Sequence, residues 1–187
     1  NETFEKPAVI ICNHQSHLDV MCLLMMSPKI VILTNDWVWH NPFYGAIIRA
    51  AEFYSISDGL EKNLERLTDL VGRGYSVVVF PEGTREIGRD IMHFHKGAFY
   101  LAKQLKVDIL PVMIHGLMDV LPKRDFMLRR GKITVEVHQR MTAEEIAHYD
   151  DRLLRTRWFK WYCEQYQEMS RRIEDAAYFI PLVNYKY

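Results

Sequence analysis

Cysteine is scarce in this chain: Cys12, Cys22 and Cys163 are the whole complement. An odd count without metal-type spacing excludes a disulfide framework and a zinc-finger type of site. It leads to the expectation of reduced thiols in a cytoplasmic setting. A surplus of charge is also missing, with 24 lysines and arginines against 24 aspartates and glutamates. Nucleic-acid binding modules carry a basic surplus and a recognisable motif, and neither is present. No stretch approaches the ~18 uninterrupted apolar residues of a membrane-spanning helix, and no signal peptide is visible. Internal repeats and low-complexity runs are absent as well. What is present is 187 residues of ordinary globular composition, 49% apolar and 26% charged. That is enough chain for one domain with a substantial core.

The organising feature is a polar stretch, Asn13-His14-Gln15-Ser16-His17-Leu18-Asp19, directly after the apolar run Ala8-Val9-Ile10-Ile11-Cys12. A second pair repeats the arrangement: Val77-Val78-Val79-Phe80 runs into Pro81-Glu82-Gly83-Thr84-Arg85-Glu86. Apolar runs alternate with helical patterns along the chain. The expected fold is therefore α/β, a mostly parallel central sheet flanked by helices. Ligands in such sheets gather beyond the carboxyl ends of strands.

His14 is the candidate general base, because an imidazole exchanges protons near neutrality. Asp19 is the candidate partner for its second ring nitrogen. On one continuous helix the two would sit roughly 140° apart and could not meet. They can meet if His14 lies on a strand-to-helix turn and Asp19 on the first helical turn. The hydrophobic period changes there, with Leu18, Met21, Cys22, Met25 and Met26 following helical spacing. No serine or cysteine is clearly placed as a nucleophile; Ser16 could equally cap the next helix. A direct His–Asp dyad without covalent intermediate is preferred. The bland alternative makes His14 and Asp19 turn and capping residues. A metal site of His14, His17 and Asp19, with His93 and His95, is a further rival.

With both stretches in view, the chain resembles the glycerolipid acyltransferases of the 1-acylglycerol-3-phosphate acyltransferase type. The family's Asn-His-x-x-x-x-Asp block matches Asn13 to Asp19, and its Phe-Pro-Glu-Gly-Thr-Arg block matches Phe80 to Arg85 without a change. Lys96-Gly97-Ala98 and the strand Ile109-Leu110-Pro111-Val112 follow in the family's order. The resemblance covers roughly residues 8 to 140. It implies acyl transfer from an acyl-thioester, acyl-CoA or acyl carrier protein as co-substrate, to a lipid hydroxyl, with no resident cofactor or metal. His14 is implied as base and Asp19 as its orienter. Glu82, Gly83, Thr84 and Arg85 are implied to shape the acceptor site. Arg85 can present a fork of donors to a phosphate, and Gly83 permits close backbone approach. Lys96 either meets the carrier's phosphates or is solvated. The implied partners are the thioester donor, a lipid acceptor and a membrane surface. Family members usually carry an upstream helical or membrane segment. The expectation is thus a single acyltransferase domain, 1–187, cut from a longer chain that has other domains. Its core is 8–140 and its helical extension 141–187. It would work at the cytoplasmic face of a membrane, peripheral or tethered. Two rival functions are a metal-dependent hydrolase and a non-catalytic acyl-thioester or lipid-binding module.

One departure concerns the acceptor. Asp58 stands where the family has an arginine that helps hold the acceptor phosphate, with Arg49 as a conceivable substitute. Asp58 with Glu61 also reads as a capping box for a helix over 58–73, ended by Gly72 and Gly74. Other expectations are local. The aromatic stretch Trp37, Trp39, Phe43 and Tyr44 reads as core packing, His93 and His95 as ordinary loop histidines, and His115-Gly116 as a plain turn. The edge strand spans 133–137. Thr142 and Glu145 read as a capping box opening a helical tail that packs on the domain with some membrane contact, and 178–187 as an extended segment.

Overall fold

The structure is a computed structural model that describes residues 2–34, 53–55, 60–85, 88–123, 127–175 and 177–178. The calls on Asp58, Arg49, the aromatic stretch 37–44 and the segment beyond 178 lie outside the described residues.

Two apolar runs lie inside the sheet, each paired on both sides. β1 (Ala8–Cys12) and β5 (Asp108–His115) are buried along their whole length. A parallel strand covered on both faces must be apolar on both sides, which explains runs without alternation. The remaining strands are β2 (Ile30–Thr34), β3 (Phe53–Ser55), β4 (Ser76–Val79) and β6 (Thr134–Val137). The six strands run in the order β3-β2-β4-β1-β5-β6. Neighbours are parallel except β5 and β6, which pair antiparallel. β6 is one of the two edge strands, as its polar alternation predicts, and its residues are partly buried or exposed.

Two cores result, one on each face. Val9, Ile11, Val31, Val77, Ile109 and Met113 point to one side. There they meet α2 (Leu60–Gly72), α3 (Gly97–Leu105), α5 (Ala143–Ala147) and α6 (Asp151–Ile173). Ile10, Cys12, Ile32, Val78, Leu110 and Val112 point to the other side, against α1 (Leu18–Met26) and the short α4 (Leu117–Val120). The boundary between the strand period and the helix period falls between Cys12 and Leu18, as the pattern requires.

The tail is two helices rather than one. Thr142 and Glu145 form a reciprocal capping box on α5. The chain then restarts at Asp150, whose side chain accepts from the backbone N–H groups of Arg152 and Leu153 and opens α6. Leu154, Trp158, Tyr162, Tyr166 and Met169 share one buried face of α6, at three- and four-residue spacing. Burying each such side chain contributes roughly 1.5–3 kcal/mol, and the half-buried Phe159 and Trp161 pack against the same core. Tyr162 also carries a polar tie: its hydroxyl donates to the carbonyls of Ile11 at 2.5 Å and Val112 at 3.1 Å. Burial pushes the Tyr162 phenol well above its ordinary range, so it stays a donor. α6 is thereby fixed over the carboxyl end of β1 and the middle of β5, one residue short of the polar block.

Candidate active site

The carboxyl ends of β1, β4 and β5 carry the site, and Asn13 joins two of them. Its amide donates to the Ile114 carbonyl and accepts from the Ile114 N–H, both at 2.8 Å. With Asn13 held like an extra ladder residue, the chain turns at His14 and enters α1 at Leu18. Asp19 lies in the first turn of α1 and is completely buried. One carboxylate oxygen, Oδ2, accepts three donors: His14 Nδ1 at 2.8 Å, Gln15 N at 2.6 Å and Ser16 N at 2.8 Å. A buried carboxylate is costly unless it is hydrogen-bonded. Here the turn itself and the imidazole offset that cost at Oδ2, while Oδ1 is buried without a hydrogen-bond partner among the described residues.

This arrangement fixes both the position and the tautomer of His14. Nδ1 faces Asp19, which leaves Nε2 as the ring nitrogen for proton exchange with a substrate. The ring stacks on Phe80 at a centroid distance of 4.1 Å and retains 19% side-chain exposure. It is therefore immobilised on one side and reachable on another. His17 is half-buried. Burial pushes its imidazole down to about 4, reinforced by the charges of Arg85 and His14, so it is neutral at neutral pH. Ser16 is no nucleophile in this geometry, because its hydroxyl is buried and donates to the Leu121 carbonyl at 2.8 Å. Cys12 is also held as a thiol: burial, then the charges of Asp19 and Glu82, pushes its pKa well up. Among the described residues no group of three or more histidine, cysteine, aspartate or glutamate side chains is gathered as a metal site would need.

Glu82 points inward. It is buried, and its two oxygens accept the backbone N–H groups of His14 at 2.7 Å and Met92 at 2.8 Å. It thus ties the block after β4 to the backbone of the candidate base. Replacing Glu82 by Gln puts an amide N–H against one of these N–H groups. The expected cost is about 1–3 kcal/mol of unfolding free energy, read from a urea transition, with reduced turnover because the His14 backbone loses its tether.

Beyond Glu82 the chain comes to the surface at Gly83. Gly83 has φ +69, and a Cβ there would stand 3.2 Å from the His95 ring. The left-handed backbone favours glycine here, and a side chain would also need the exposed His95 ring to shift by a few tenths of an ångström. Thr84 is exposed; Arg85 is half-buried, and its carbonyl accepts from Lys123 Nζ at 2.6 Å. Lys96 is exposed just before α3. The structure thus places Gly83, Thr84 and Arg85 beside the His14–Asp19 turn through Glu82, and the following loop returns to the block just before Lys96, where the His95 N–H donates to the Pro81 carbonyl at 2.7 Å.

Three contributions escape sequence reasoning. Gln15 is buried and donates to the Tyr166 hydroxyl, tying the dyad turn to α6. Phe80 supplies the stacking surface under His14; it was legible only as part of a motif. His115 is more than a turn residue. It is buried and pairs through Nε2 with Glu174 at 2.8 Å, and Arg89 bridges Glu174 to Asp119. Gly116 does make the turn there, at φ +91.

The mostly parallel sheet, with a histidine–carboxylate pair beyond the carboxyl ends of its strands, defines an α/β protein with a candidate site where such sheets hold their ligands. Residues 1–115 match the sequence profile of the acyltransferase family, and the chain belongs to that family. It is 29% identical over 148 residues to a 1-acyl-sn-glycerol-3-phosphate acyltransferase of Chlamydomonas reinhardtii, covering 76% of this chain and 45% of that one. It is 30% identical over 138 residues to the 1-acyl-sn-glycerol-3-phosphate acyltransferase beta of Homo sapiens, covering 71% of this chain and 50% of that one. The chain spans about half the length of the curated relatives it matches. The crystal structure of the 1-acyl-sn-glycerophosphate acyltransferase PlsC from Thermotoga maritima shares the fold. Its TM-score is 0.77 at 22% identity, over 94% of this chain and 73% of that chain.

Proposed function

We propose that this chain moves an acyl group from a thioester, acyl-CoA or acyl carrier protein, to a hydroxyl of a lysophospholipid or related lipid precursor. The observation that carries the reading is the 2.8 Å contact between His14 Nδ1 and the fully buried Asp19. It prepares the opposite ring nitrogen as a base. In the proposed step, Nε2 takes the proton of the acceptor hydroxyl while its oxygen attacks the thioester carbonyl. The C–S bond breaks as the ester C–O bond forms. The proton then passes from His14 to the departing sulfur, giving a free thiol. No enzyme acyl adduct is formed, in keeping with the occupied hydroxyl of Ser16 and the buried thiol of Cys12. Arg85 and Thr84 are the groups offered to an acceptor phosphate, and the names of the relatives support a 1-acylglycerol-3-phosphate as first choice.

The test is thiol release from acyl-CoA and from acyl carrier protein, with lysophosphatidate and with phosphate-free lyso-lipids as acceptors. Transfer to lysophosphatidate is expected, weakened in Arg85→Gln mainly through a higher KM for the acceptor. Transfer confined to acceptors without phosphate would overturn the assignment of Arg85. A thioester that binds but is never consumed would make the chain a binding module instead.

A further inference from the structure

We infer that residues 127–133 form a docking element for an anionic bilayer surface, set beside the candidate active site. The inference rests on the proposed reading in one respect, that the acceptor is a lipid.

Large apolar side chains are exposed at few positions among the described residues, and three of them fall in this one segment. Met127 is 59% exposed, Leu128 68% and Ile133 42%. Interleaved with them are Arg129, Arg130 and Lys132, and residues 127–135 contain no aspartate or glutamate. In a chain of zero net charge this is a local concentration of three positive charges. Arg130 and Lys132 are exposed with the apolar tip. Apolar side chains that enter the headgroup boundary, flanked by cations that meet anionic lipid, are the composition of an interfacial anchor. Between Arg130, Lys132, Asp175 and Tyr178 lies a recess of about 340 Å³, in size and charge suited to a phosphate-bearing headgroup.

The segment is fastened to the fold. Arg129 N donates to the Val120 carbonyl at 2.8 Å. Gly131 passes so close to α4 that a Cβ would stand 2.8 Å from a Val120 methyl. Lys132 lies over the Gly116 turn, where its carbonyl would be 2.0 Å from a Cβ on residue 116. Met127 and Leu128 thus project from a clamped base.

The base also adjoins the site. It follows β5 and α4 at the carboxyl end of the sheet, and Thr134 pairs with His115. Leu121 accepts the hydroxyl of Ser16, and Lys123 donates to the carbonyl of Arg85. A bilayer held by this segment would present its lipids near the turn that carries His14.

The experiment is co-sedimentation of the full chain with vesicles of phosphatidylcholine alone and of phosphatidylcholine with phosphatidylglycerol. Wild type is expected to bind the anionic vesicles, less so as salt rises. Arg130→Gln with Lys132→Gln should weaken that binding about 25-fold, since each cation near such a surface contributes about fivefold. Met127→Ser with Leu128→Ser should weaken binding to both vesicle types at every salt concentration. All four side chains are exposed, so folding should be unchanged. Turnover of a short-chain acceptor below its micellar concentration should match wild type, which separates loss of docking from failure of the acyl-transfer reading. Wild type that ignores both vesicle types, or variants that bind as wild type does, would overturn the inference. So would a loss confined to turnover with acyl carrier protein, which would make the patch a protein-docking surface.

Discussion

His14→Ala is expected to lower kcat by 10² to 10⁴, about the full contribution of a positioned general base. Binding of the thioester should change little, because the ring is argued to act on the acceptor proton and not to hold the donor. Folding should survive as well. The side chain sits partly exposed on Phe80, and Asp19 keeps the N–H groups of Gln15 and Ser16 after the ring is gone. Circular dichroism and a urea transition close to wild type should therefore accompany the loss of turnover. Near-normal turnover would remove His14 from the mechanism and favour its reading as a turn residue.

Asp19→Asn carries the second large effect. The amide oxygen can still receive the turn's N–H groups, so the backbone geometry should hold. What disappears is the negative charge that offsets the imidazolium formed when His14 takes the acceptor's proton. In a buried position that charge is little screened, and comparable dyads lose on the order of 10²- to 10⁴-fold in rate. Asp19 is completely buried and touches no substrate surface, so KM for both substrates should stay near wild type. A rise in KM with kcat preserved would mean that Asp19 only shapes the pocket.

Sequence reasoning reaches the dyad because the relevant signal is local. A strand period stops at Cys12 and a helix period starts at Leu18. Only a turn between them lets residues five apart share a hydrogen bond. The parallel sheet is legible for a similar reason, since runs such as 8–12 and 109–114 are apolar on both faces. Glu82 was not legible as a tether. A carboxylate in a polar block reads as ligand-facing, and its actual partners are a backbone N–H on β1's turn and another ten residues onward. The His115–Glu174 pair is equally hidden, since it depends on how the end of α6 returns to β5. The division of the tail was in the sequence, at Asp150, but two successive caps in one helical pattern are easily read as one helix. The roles given to Arg85, Thr84 and Lys96 come from the family motif, because a contact made only with substrate leaves no trace inside the fold to point to it.

The most direct test of direct transfer is a single-turnover mix of protein with acyl-CoA labelled in the acyl group, with and without lysophosphatidate. The account predicts that thiol appears only with the acceptor, that the label moves into lipid, and that intact-protein mass spectrometry finds no acyl adduct. A burst of thiol without acceptor, with label on the protein, would contradict it and require a nucleophile that attacks before the lipid does.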